Sequence, residues 1–126
     1  MQVTESIDVQ YKFLSKYGRY QDPDVHAGKL EDIDRERAIV AGFLPDEGWI
    51  DALTEGKVLL GINIFLPAQS VPIKVLAGVE KVLPNPKGVR GKTDTHFVLG
   101  FRDISPDHHR RIIRFLVSLY IKKPAT

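Results

Sequence analysis

Cysteine is absent from this 126-residue sequence, which excludes disulfide bonds and thiolate metal sites. A large excess of one charge is also absent, because 18 Lys and Arg residues stand against 16 Asp and Glu residues. A protein that coats DNA neutralises many phosphates, so a net charge of +2 argues against that class. Long apolar runs are missing too. The longest, residues 58–66, includes an Asn, whereas a membrane helix needs about 20 apolar residues.

What is present is the composition of an ordinary folded domain, with 43% apolar and 27% charged residues. A chain of this length hides roughly two-thirds of its unfolded surface, which is enough for one hydrophobic core. The N-terminus carries Glu5 and Asp8 without an apolar stretch, so it does not match a signal peptide. We therefore expect one domain that works in the cytoplasm.

Short segments with the pattern of β-strands make up the middle of the chain. In residues 71–83 apolar residues recur at every second position, which predicts a half-buried strand. Other segments of this kind are a hairpin at 29–42, a buried strand at 58–66 and an alternating strand at 96–102. Strands at this spacing, with turns between them, predict an antiparallel barrel of about six strands.

The segments around these strands are predicted to be irregular. Residues 1–27 mix aromatic residues with cations and are predicted to form an arm or switch in front of a barrel domain at 28–123. Residues 44–55 are rich in turn residues and are predicted to be a connection. Within it, Trp49 either caps one end of the barrel or belongs to a patch that binds a partner, and we favour the cap.

The end of the chain predicts a helix at about 106–121. Ser105 is a good N-cap, and Pro106 suits the first helical position. Apolar residues then recur at helical spacing, with Arg110, Arg111 and Arg114 on the other face. The apolar residues expected to pack against the barrel are Ile113, Leu116 and Tyr120.

The order of these features resembles the PilZ domain family over residues 28–121. Residues 99–107 (LGFRDISPD) are similar to the last strand and the Asp-x-Ser-Pro turn that leads into the helix of that family. Residues 53–58 (LTEGKV) are similar to the start of one of its long strands, and residues 28–33 to the strand before its signature. The resemblance implies a mainly β fold, a six-stranded antiparallel β-barrel with a C-terminal α-helix. It also implies a bacterial signalling module, not an enzyme, whose family ligand is cyclic di-GMP (c-di-GMP).

The family binds this ligand through two motifs, and both are altered here. The second motif, Asp/Asn-x-Ser-x-x-Gly, would fall on residues 32–37, where Asp32 matches, Asp34 replaces Ser and Arg37 replaces Gly. For the first, Arg-x-x-x-Arg, the sequence offers two lysines, which keep the charge and lose the bidentate fork of arginine. The residues that the resemblance assigns to a ligand, if one binds, are Lys12, Lys16, Arg19, Asp32, Asp34, Arg35 and Arg37.

Three functions therefore stay open at this point. The first is an adaptor that binds a protein partner without the nucleotide and needs no cofactor, and the second is a c-di-GMP receptor with a divergent site. The third is a small barrel that binds nucleic acid through the basic loop at 84–95, although this loop lacks aromatic residues for base stacking. His108 and His109 are adjacent and point about 100° apart on a helix, so we interpret them as a solvated pair and not as metal ligands.

Overall fold

A computed structural model of the protein describes residues 2–83 and 94–122, and the side chains from 6 to 83 and from 95 to 121. The strands are β1 (Gln2–Ser15), β2 (His26–Ile33), β3 (Arg37–Phe43), β4 (Val58–Ile64), β5 (Ile73–Leu83) and β6 (Asp94–Ile104). The helices are α1 (Trp49–Thr54), between β3 and β4, and α2 (Pro106–Lys122), after β6. Neither helix among these residues has the length and apolar character to span a membrane.

The six strands form a closed barrel in the order β1-β2-β3-β6-β5-β4, and every neighbouring pair is antiparallel. The predicted fold, a six-stranded antiparallel barrel with a C-terminal helix, is confirmed. Because the strands alternate in direction, their ends gather at two openings. We call these the α2 end, where β6 runs into α2, and the α1 end, where β3 leads to α1.

The core lies inside the barrel and follows the period of two. The inward residues predicted for β5 are all buried, as are their counterparts on β4. The buried apolar side chains on these two strands are Val58, Leu60, Ile62, Ile64, Ile73, Val75, Ala77 and Val79.

The prediction of an arm at residues 1–27 is wrong for Gln2–Ser15, because this segment is β1. Its residues 7–11 pair with β2 and its residues 9–15 pair with β4, so β1 closes the barrel. Ile7, Val9, Tyr11 and Phe13 alternate and are buried, at most 4% exposed. The polar residues between them face outward, and this alternation is the signal that identifies the strand.

The predicted connection at 44–55 contains the short helix α1, which the turn residues concealed. Trp49 at its start is 8% exposed. Its ring meets those of Phe13 and Tyr20 edge-on, with centroids 5.2 and 5.5 Å apart. This packing supports the interpretation of Trp49 as a cap on the barrel.

Helix α2 begins where the sequence predicts, since the Ser105 hydroxyl accepts a hydrogen bond from the His108 N–H at 3.1 Å. Its buried residues are Ile112 and Phe115, and Leu116 is only partly buried. The prediction that Tyr120 packs on the barrel is wrong, because this side chain is 74% exposed. Tyr120 follows Ile112 by eight residues, which at 3.6 residues per turn places it about 80° away from the buried line.

Replacing Ile112 by Ala is expected to lower the free energy of unfolding by about 2–5 kcal/mol, because it opens a cavity between α2 and the barrel. Tyr120→Ala on the same helix is the matched control, with an expected change below about 0.5 kcal/mol since the side chain is exposed. Urea unfolding followed by circular dichroism measures both. If Ile112→Ala lowers the free energy of unfolding as little as Tyr120→Ala does, α2 does not seal the barrel.

Candidate functional site

The turn between β2 and β3 is where the second ligand motif was predicted, and Asp34 holds it together. The Asp34 carboxylate accepts hydrogen bonds from the backbone N–H groups of Glu36 at 2.9 Å and Arg37 at 2.8 Å. Its own backbone N–H donates to the Arg37 carbonyl at 2.9 Å. An Asp that satisfies the backbone two residues on is a common stabiliser of turns. Asp34 therefore has a structural role in this loop.

The two arginines of the turn also contact the rest of the protein, Arg37 through its side chain and Arg35 through its backbone carbonyl. The Arg37 Nε lies 3.2 Å from Glu80 Oε1 on β5, in an exposed ion pair of the kind that contributes little to stability. The Arg35 carbonyl accepts a hydrogen bond from His109 Nε2 at 3.1 Å. Among the described residues, positive φ occurs at Ala68 and Gly56 only, so Arg37 does not adopt the left-handed backbone that favours glycine.

The predicted cations of the first motif lie at the α1 end. Lys12 and Lys16 line a groove of about 1120 Å³ between β1, β4 and the β1–β2 connection. Lys57, which the sequence analysis missed, lines the same groove, but its Nζ is 3.8 Å from Glu55 Oε1. Arg19 stands apart, with its guanidinium 5.9 Å from the centre of the Tyr20 ring.

The structure does not bring the two predicted motifs together. Asp8 pairs with Lys29 across β1 and β2, and from this pair Lys12 lies four residues toward the α1 end. Asp32 lies three residues from it toward the α2 end. At about 3.3 Å per residue, these seven steps separate Lys12 from Asp32 by roughly 20 Å along the barrel. The lysines also belong to a barrel strand and its exit, so they do not occupy a segment in front of the barrel.

A His–Asp pair at the α1 end was not predicted. His26 Nε2 lies 2.9 Å from Asp22 Oδ2, and the two side chains are only 15% and 12% exposed. The His26 ring stacks on Phe43 with centroids 4.9 Å apart, beside a shallow pocket of about 380 Å³. Residues 22 and 26 are close only because the chain turns into β2 there, and no periodic pattern in the sequence marks such a pair.

The ionisation of Asp22 reflects these surroundings. Burial alone would raise its pKa, but the Asp24 N–H, the hydrogen bond and charge of His26, and the charge of Lys12 outweigh that effect. Together they lower the pKa of Asp22 below its ordinary value of 3.8. Asp22 is therefore ionised at neutral pH and anchors the β1–β2 connection.

The adjacent histidines of α2 are not the solvated pair that was predicted. His108 Nδ1 accepts a hydrogen bond from the Lys74 N–H at 3.0 Å, while His109 donates to the β2–β3 turn. They point to different partners, and no cluster of three metal-ligating side chains occurs among the described residues. The three cations of the basic loop that suggested nucleic acid, Lys87, Arg90 and Lys92, lie outside the described residues, and the predicted end of that loop at 94–95 belongs to β6.

Comparison with known proteins shows that this chain is similar to solved structures in its fold. No family model matches the sequence, and no curated protein matches it. The inhibitor of motility MotI/DgrA of Bacillus subtilis is similar in structure, with a TM-score of 0.63 and 14% identity, over 98% of this chain and 50% of that one. MrkH, a transcription regulatory factor described as c-di-GMP dependent, has a TM-score of 0.63 and 16% identity over 95% of this chain and 48% of its own. This chain thus spans about half the length of each.

We expect Asp22→Asn to lower the free energy of unfolding at pH 7 by on the order of 1 kcal/mol, because it weakens the hydrogen bonds to Asp24 and His26. A lowered folded-state pKa adds stability above the unfolded value, and this is lost as the pH falls through the folded value. The difference between wild type and variant should therefore narrow below about pH 4.

Urea unfolding at several pH values measures this difference. Asp24→Asn, at an exposed position two residues along, serves as the control. A difference between wild type and Asp22→Asn that stays constant from pH 7 to pH 3 would contradict the assigned role of the carboxylate.

Proposed function

We propose that this chain is a PilZ-like regulatory domain that acts through contact with a protein partner and does not bind c-di-GMP tightly. Two independent lines support the family. The sequence at residues 99–107 resembles the end of PilZ domains, and the fold is similar to an inhibitor of motility and to a transcription regulatory factor. Both of those proteins are regulators by name, and neither is named as an enzyme.

The expectation that c-di-GMP does not bind tightly rests on the β2–β3 turn, whose side chains are already engaged within the protein. Asp34 Oδ1 already accepts two backbone hydrogen bonds, and Arg37 lies against Glu80. A phosphate placed at this turn would meet the carboxylate of Asp34, which stands where the family motif has Ser and repels the phosphate. The lysines that would have to complete the site are roughly 20 Å away along the strands.

Titration calorimetry with c-di-GMP tests this proposal directly. Each missing bidentate charge-assisted contact costs roughly 1.5–3 kcal/mol, so two of them weaken binding by a factor on the order of 10² to 10⁴. We expect a dissociation constant weaker than about 10 μM, with MrkH as the positive control in the same buffer.

A sub-micromolar constant would refute the proposal and favour a c-di-GMP receptor with a divergent site. Arg35→Ala and Lys16→Ala would then locate that site, because these residues lie at opposite ends of the barrel. If only Arg35→Ala loses affinity for c-di-GMP, the ligand lies at the β2–β3 turn. If only Lys16→Ala loses affinity, the ligand lies in the groove. The same titration with a single-stranded oligonucleotide tests the third function, which is nucleic-acid binding.

A further inference from the structure

The outward face of α2 carries a line of four residues that the barrel does not cover. Starting from the buried Ile112, a rotation of about 100° per residue places one set of side chains on the opposite side of the helix. This set, which we call the outer line, consists of Arg110, Arg114, Val117 and Ile121. Their spacing of four, three and four residues is the spacing by which one helix packs against another.

The second half of the outer line is apolar and exposed. Val117 is 50% exposed and Ile121 is 73% exposed, and Tyr120 beside them is 74% exposed. A single exposed apolar residue is ordinary on a protein surface, but three within five positions on one helix form a contiguous patch. The first half of the line is cationic. Arg114 forms no ion pair with any described residue, and Arg110 meets Asp107 only at 3.8 Å in an exposed contact.

The charge pattern decides what fits this line. From His108 to the end of the sequence no Asp or Glu occurs, so the helix has no carboxylate of its own beyond Asp107. In a two-fold antiparallel pair of copies, Arg110 would face Ile121 and Arg114 would face Val117, which leaves the cations without partners. In a parallel pair, arginine would face arginine. A second copy of this chain is therefore a poor fit.

A membrane surface is also a poor fit. Helices that lie in a membrane carry a broad apolar face with cations along its flanks. In α2 the broad apolar face is used by the barrel, and the outer line places its cations and apolar residues in series along one narrow stripe. Duplex DNA would bring phosphates against the apolar half as well as the cationic half.

We propose that the outer line of α2 docks an acidic, amphipathic helix of a partner protein. Apolar side chains of that helix would cover Val117, Tyr120 and Ile121, and its carboxylates would pair with Arg110 and Arg114. The proposal rests on the proposed function, because it names the chemistry of the partner that a regulatory domain of this kind would contact.

A synthetic helical peptide of about 21 residues tests it, with Leu at the spacing of the outer line, Glu at the flanking positions and a lactam bridge to hold the helix. A second peptide carries Lys in place of every Glu. We expect the acidic peptide to bind the full chain with a dissociation constant on the order of 10 μM by fluorescence anisotropy, and the basic peptide not to bind.

Two variants of the outer line separate docking from folding. Ile121→Ser and Arg114→Glu are each expected to weaken binding of the acidic peptide by at least about tenfold. Both should leave the melting temperature unchanged, since both side chains are exposed. Lys81→Glu, a charge reversal at an exposed position of β5, is the matched control and should bind as the wild type does.

Equal binding of both peptides, or equal binding by both variants and the control, would overturn the proposal. So would sedimentation showing a dimer that Ile121→Ser dissolves, or binding of phosphatidylglycerol vesicles in place of the acidic peptide. The calorimetry with c-di-GMP involves none of the residues of the outer line. Its outcome judges the proposed function, while the peptide outcome judges this docking surface.

Discussion

Closure of the barrel by β1 is the constraint on which the rest of the structure depends. An open sheet would leave the backbone groups of two edge strands without partners, and a closed one leaves none. Here residues 9–15 of β1 pair with β4 while the same strand pairs with β2, so one strand supplies both closing contacts. Once the wall is complete, the described strands leave two openings, and one helix lies at each.

The aromatic residues at the α1 end follow from this closure. Tyr11 points inward, is 1% exposed and donates a hydrogen bond from its hydroxyl to the Phe43 carbonyl at 2.9 Å, which ties β1 to β3 across the interior. The ring has room because Gly42 carries no side chain: a Cβ there would lie 2.4 Å from the Tyr11 oxygen. Phe13 and Trp49 extend the same cluster toward α1. The cluster anchors the end of β1 inside the barrel.

Local chemistry explains which parts of the fold the sequence analysis could recover. The alternation in β5 and the Ser105 cap of α2 are properties of neighbouring residues, and both predictions agree with the structure. The sequence prediction for β1 was wrong because its exposed cations, such as Lys12 between the buried Tyr11 and Phe13, resemble the composition of a solvated arm. The six residues of α1 are too few to show a helical period among turn residues.

The candidate site was harder to predict because it depends on register. Lys12 and Asp32 are 20 positions apart in sequence, and only the pairing of Asp8 with Lys29 shows that they lie in opposite directions from a common point. The role of Asp34 in its own turn was within reach of the sequence, since Asp commonly bonds to the backbone two residues ahead.

The β2–β3 turn, where the altered motif lies, also helps to hold α2 in place. The β2–β3 turn is closed by Asp34, and its Arg35 carbonyl accepts the hydrogen bond from His109 on the first turns of α2. At the start of β5, the backbone N–H of Lys74 donates to His108 Nδ1, and in the turn before it Gln69 accepts from the Arg111 Nε at 2.8 Å. Three loops or strand ends at the α2 end thus bind three side chains of the helix. The helix is oriented by contacts within the protein, and no ligand at the turn is needed to fix it. The helix keeps Phe115, Leu116 and Leu119 against the core, and this leaves Val117 and Ile121 exposed on its outer side.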